Sequence, residues 1–202
     1  MKNNYDVMME QSRQLFLTYD QELLCRRLSL PFTEAEIPIR FLGAEYHIRR
    51  SDGRVLDADG KPANFNTVMS VYDLLCRSSE TPVLKGEFVP ITALNRIHGT
   101  HPVHESLNSP SAAFFAGRVP ELEALCRSRG GKAWGKGDVS YTLPVFDFFP
   151  VRLCFWDADE EFPASLQFFW DANALQFVHY ETLWYISGEL THQLMQELKR
   201  QT

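Results

Sequence analysis

The segment CFWDADEEFPASLQFFWDANALQF, residues 154–177, sets four carboxylates, Asp157, Asp159, Glu160 and Glu161, between two apolar runs that each end in Trp-Asp. Like charges this close repel one another, and the repulsion is small only where water or a cation screens it. Three kinds of chemistry fit. The oxygens suit a hard cation. One carboxylate with a raised pKa could serve as a general acid or base. Or the segment is a solvated bend whose carboxylates cap nearby backbone amides. Phe162-Pro163 gives the bend an apolar anchor and one fixed φ. Trp156, Asp159, Glu160, Glu161, Phe162 and Asp171 together form the candidate ligand or partner surface.

A second constellation is the HxxHxxH of His98, His101 and His104. Three imidazoles could hold zinc, nickel or iron with one position left open. Gly99 and Pro102 interrupt the run, so the three rings share no helix face. A polar loop with incidental histidines fits equally. DADGK, residues 57–61, opens like a calcium loop, but the twelfth position is Val68, so a plain turn is expected. GGKAWGKG, residues 130–137, matches GxxxxGK yet carries Gly137 where Ser or Thr would hold magnesium, and a helix precedes it where a strand should. It reads as a connector whose Lys132 and Lys136 could meet an anion. GxSxG, HExxH and GxGxxG are all absent.

The elements that must position these residues follow from periodicity. Helical spacing of apolar residues predicts a helix over 4–29, stopped by Pro31. Alternation around Gly43 predicts a hairpin of Ile37–Phe41 with Tyr46–Ile48, and SDGR leads into a short strand at Val55-Leu56. A helix is expected over 66–77 with Asn66 as its N-cap. Residues 85–110 read as mostly irregular, with a short helix near 92–97. Two further helices follow, over 111–117 and from Pro120 to Gly130. VSYTL, VRLCFW, SLQFFW and LQFV read as strands. In VRLCFW, Leu153 and Phe155 face one way and Cys154 and Trp156 the other. Leu166, Phe168 and Trp170 alternate similarly in SLQFFW, so the two runs are expected to pair antiparallel near a sheet centre, with the acidic residues as their connection. A closing helix over 181–200 buries Leu183, Ile186, Leu190, Leu194 and Leu198. This order predicts an α+β fold: a mainly antiparallel sheet packed against N-terminal, central and C-terminal helices. The expected organisation is one domain over 1–202, with 1–30 as a helical appendage.

Composition narrows the function. With 45% hydrophobic residues and 15 Phe among 202, the chain can build a core without disulfide or metal. A net charge of −6 with scattered basic residues argues against a general nucleic-acid binder. Four cysteines without a CxxC read as small buried hydrophobes in a reducing cytoplasm. No signal peptide or membrane-spanning run is read in the sequence.

The run GDVSYTLPVFDFFPVRLCFWDADEEFPASLQFFWDANALQFVHYETLWYISGEL resembles a bacterial and archaeal family, domain of unknown function 3786. Its hallmark is a strand ending in a DEEFP-type turn, a Phe-rich strand ending in Asp, and a leucine-rich closing helix. Trp156, Asp159–Pro163 and Asp171 carry the likeness; IRFLGAEYHIRRSDGRVL and LKGEFVPITAL extend it over most of the chain. The resemblance assigns no catalytic residue and no cofactor. Relatives joined to iron–sulfur segments imply anaerobic-type metabolism, although this chain has no cysteine cluster. Three functions stay open: a non-enzymatic accessory or ligand-binding domain, a metal-dependent enzyme using residues 157–161, and a protein-interaction module. The partner is an unidentified small molecule or protein.

Overall fold

A computed structural model describes residues 3–94 and 109–201. The histidines of the HxxHxxH stretch lie outside the described residues. The fold is α+β, with antiparallel sheets of three and five strands. By its internal contacts the chain divides into two compact units, residues 1–84 with 173–186 and residues 85–172 with 187–202.

In the first unit, the expected N-terminal helix is two helices, α1 (Asn4–Thr18) and α2 (Gln21–Arg27). The break falls at Asp20, whose side chain accepts from the amides of Glu22 and Leu23 and so starts a new helix. The three-stranded sheet holds β1 (Glu36–Phe41), β2 (Ala44–Arg49) and β3 (Val55–Asp57) in that order. Leu42 and Gly43 join β1 to β2 with φ of 50° and 84°, as a two-residue hairpin turn of the I′ type requires. Left-handed backbone at a leucine costs about 1 kcal/mol. Burying the Leu42 side chain offsets that cost. DADGK is a plain turn: the Asp57 carboxylate accepts from the amides of Asp59 and Lys61. Helix α3 (Phe65–Arg77) is capped by Asn64, which accepts from Thr67, and not by Asn66; the Asn66 carbonyl is already inside the helix, accepting from Ser70 Oγ. Its apolar face, including Val68, Val71, Tyr72, Leu75 and Cys76, is buried.

LQFV, expected as a strand, is a 3-10 turn over Ala174–Gln176. Phe177 and Val178 both donate to the Ala174 carbonyl, and the Gln176 carbonyl and side chain are taken by Ser79 and Val83, so no strand partner is needed.

The second unit is built on a five-stranded sheet. Its strands are β4 (Phe88–Pro90), β5 (Lys132–Ala133), β6 (Val139–Phe146), β7 (Phe149–Trp156) and β8 (Ser165–Asp171), in the order β4-β8-β7-β6-β5. Strand β7 is central, and β7 and β8 pair antiparallel with Leu153 opposite Phe168 and Phe155 opposite Leu166, the register the alternation predicts. Three helices precede β5: α4 (Ile91–Leu94), α5 (Ser109–Phe115) and α6 (Val119–Ser128). Leu122, Leu125 and Cys126 of α6 are buried, and Phe115 of α5 meets Phe155 edge-on with ring centroids 6.2 Å apart. Each ring or Leu fully buried on that face contributes about 1.5–3 kcal/mol.

Helix α7 (Tyr180–Gln201) closes the chain, with residues in both units. Leu183, Ile186, Leu190, Leu194 and Leu198 are all buried, as expected. At its start Asp73 accepts from the His179 amide at 2.6 Å and from Thr182 Oγ1 at 2.7 Å, and lies 2.9 Å from His179 Nδ1. That carboxylate occupies donors a helix end otherwise leaves open. No helix among the described residues is long and apolar enough to cross a membrane.

Candidate functional site

The acidic segment is the connection between β7 and β8, residues 157–164. The strands fix its two ends: Trp156 pairs with Ser165, the last rung of the ladder. Trp156 is half-buried, and the β5–β6 connection crosses close to it. At Gly137, φ is 69° and a Cβ would lie 2.6 Å from the Phe155 carbonyl oxygen and 3.3 Å from the Trp156 ring, so only glycine lets the chain pass.

The four carboxylates divide into two pairs by what they do. Asp157 anchors. Its amide donates to Asp138 Oδ2 at 2.7 Å, and its carboxylate accepts from the Gly117 amide at 2.9 and 3.2 Å and from Ala158 at 2.8 Å. That ties the bend to the α5–α6 connection. Asp159 shapes. Its carboxylate accepts from the amides of Phe162 at 2.7 Å and Glu161 at 2.8 Å, while its own amide donates to the Phe162 carbonyl at 3.0 Å. The two accepted amide bonds favour the ionised form and hold the Asp159 pKa below the ordinary carboxylate range. Glu160 and Glu161 are exposed, and neither makes an ion pair or a side-chain hydrogen bond among the described residues. Beside them Phe162 is 66% exposed, and Pro163 is exposed too.

Asp171 stands apart from these residues. It is 1% exposed, and its carboxylate accepts from the amides of Lys85 at 2.9 Å and Gly86 at 2.6 Å, which holds the approach to β4. It closes β8 at the end opposite the bend, about 20 Å away at 3.4 Å per residue. The structure therefore brings Trp156, Asp159, Glu160, Glu161 and Phe162 onto one bend and leaves Asp171 in the interior. Residue types alone did not single out Asp138 and Gly117, because the Asp138 carboxylate and the Gly117 amide are brought to Asp157 by segments 19 and 40 residues away.

Among the described residues no group of three His, Cys, Asp or Glu is placed to hold a metal ion. Cavities of about 420 and 370 Å3 lie in the first unit, lined among others by Glu36, His47 and Arg49 and by Glu10, Arg13 and Tyr72. Neither is lined by the bend. The four cysteines are free and buried, and burial raises every thiol pKa: to about 11 for Cys25 and about 12 for Cys76 and Cys126, and upward for Cys154. Such thiols are poor nucleophiles and poor metal ligands.

These features define an α+β protein whose second unit extends a rigidly tied, negatively charged bend bearing an exposed ring. The model of the family described as Domain of unknown function (DUF3786) matches residues 20–193, and the chain belongs to that family. No curated protein and no solved structure matches the chain.

Proposed function

We propose that the protein is a non-enzymatic cytoplasmic accessory domain that docks a basic partner protein through its 157–162 bend. The observation that carries this reading is Phe162, 66% exposed beside the carboxylates of a bend whose backbone is held from within. A large exposed ring on a fixed scaffold gains contact area on binding and loses little conformational freedom. Glu160 and Glu161 supply unspent acceptors around it, suited to Arg or Lys side chains. Acidic rim charges of this kind steer encounter, so association should weaken as salt rises. The four thiols, buried and unpaired, suit a reducing compartment.

The test uses the full chain and a fluorescein-labelled peptide library graded in Arg and Lys content, each member also made with and without a central Leu or Phe. The expected result is saturable binding by basic peptides with an apolar residue, weakened by salt, with amide shifts in NMR concentrated at 157–163. Equal binding of neutral and basic peptides, or shifts spread away from the bend, would contradict the proposal.

A further inference from the structure

A different face of the second unit carries unspent positive charge. Directly opposed residues of an antiparallel sheet project from the same face. The pairings Phe169–Arg152, Arg152–Thr142 and Thr142–Lys132 therefore place one row on one face across β8, β7, β6 and β5. This is the face opposite the buried Leu153 and Phe155.

Arg152 sits at the centre of the row. Its guanidinium carbon lies 4.1 Å from the Phe88 ring centroid and 4.8 Å from that of Trp134. Its Nε donates to Thr142 Oγ1 at 3.3 Å. Trp134 is itself fixed, with Nε1 donating to the Leu153 carbonyl at 3.4 Å and the ring edge-on to Phe169 at 5.7 Å. Arg13, Arg49, Arg50, Arg127 and Arg129 each meet a carboxylate. Arg152 meets none, and among the described residues its two Nη nitrogens have no hydrogen-bond partner. A guanidinium offers a planar fork that matches an oxyanion, and here aromatic contacts and Thr142 have already ordered the side chain. Lys132, two strands away on the same row, is exposed and unpaired among the described residues. Two strand spacings put its Cα about 10 Å from that of Arg152, within reach of one small ligand.

We infer that this sheet face binds a small molecule with a carboxylate or phosphate group on a planar apolar body. The oxyanion meets Arg152, with Lys132 adding charge, and the planar body lies against Trp134 and Phe169. The site is separate from the acidic bend and does not depend on the docking role proposed for it.

The probes are benzoate, phenyl phosphate and inorganic phosphate, titrated into the full chain by calorimetry and by tryptophan fluorescence, with Trp134→Phe identifying the reporting ring. Benzoate or phenyl phosphate should bind saturably, and phenyl phosphate should bind more tightly than inorganic phosphate. Arg152→Lys keeps the charge but loses the fork, and should weaken binding by about tenfold or more. Lys132→Gln, at an exposed position, should weaken it about threefold and flatten its salt dependence. No saturable binding of any probe at about 10 mM would overturn the inference. So would equal affinity of wild type and Arg152→Lys with the fold intact by circular dichroism. Inorganic phosphate binding as tightly as phenyl phosphate would overturn the assignment of a planar body.

Discussion

The two ends of β8 carry aspartates or glutamates under opposite regimes. At one end the bend leaves Glu160 and Glu161 in solvent and uses Asp157 and Asp159 to tie down its own backbone. At the other, Asp171 is buried and its charge is spent on the amides that lead into β4. Between them, Leu166, Phe168 and Trp170 bury apolar surface. A carboxylate is structural where backbone amides reach it and available where none do. Stability and recognition should therefore separate along this one strand, and substitutions can be ranked by where they fall.

The largest effect is expected at the ladder. Phe155→Ala removes a fully buried ring that meets Phe115 and should cost about 3–5 kcal/mol in urea unfolding. A loss below about 1 kcal/mol would mean that this face is not packed as described. Asp171→Ala comes next, at about 1–3 kcal/mol, because it strips two backbone donors of their acceptor. Asp171→Asn, which keeps one acceptor oxygen, should cost less. If both variants melt like wild type, the contrast between the two ends fails.

The thiols sharpen the comparison from the core side. The native protein should leave all four cysteines unreactive toward a disulfide reagent at neutral pH, and urea should expose them. Raised folded pKa values mean that the neutral thiols' contribution is whole below the unfolded value, near 9.0, and is lost as pH rises toward 11 to 12. Alkaline unfolding in that window checks the sign. The smallest effect belongs to Asp159. Its folded pKa is depressed, so its contribution is present above the unfolded value near 3.8 and disappears as pH falls through the folded one. Asp159→Asn should lower stability slightly at pH 7 to 9, where that contribution is whole, and flatten the acid limb of the stability curve.

Local periodicity carried the hairpin a long way. The alternation of Leu153, Phe155, Leu166, Phe168 and Trp170 was legible because register errors would turn those rings to the wrong face. The closing helix was legible for a similar reason, its five leucine and isoleucine positions falling at helical spacing. What stayed hidden depends on partners far away in sequence. Phe88–Pro90 is too short and too proline-bound to read as a strand, and forms one only against Phe169–Asp171 at a sheet edge. The break at Asp20 and the cap at Asn64 are choices between neighbouring polar residues that spacing does not resolve. LQFV looked extended, yet its amides turn back onto Ala174 and its Gln176 acceptors are taken by the distant Ser79 and Val83. At the site, the charge and Phe162 were readable, whereas the burial of Asp171 and the setting of Arg152 arise only from sheet pairing.

The most direct test of the account joins both readouts in one protein, Phe162→Ala combined with Glu160→Gln and Glu161→Gln. The predicted result is an unfolding free energy within about 0.5 kcal/mol of wild type, as for other surface changes, together with loss of binding to the best basic peptide. A triple variant that binds that peptide as wild type does, or that unfolds with a core-sized penalty, would contradict the claim that this bend is built for contact and not for stability.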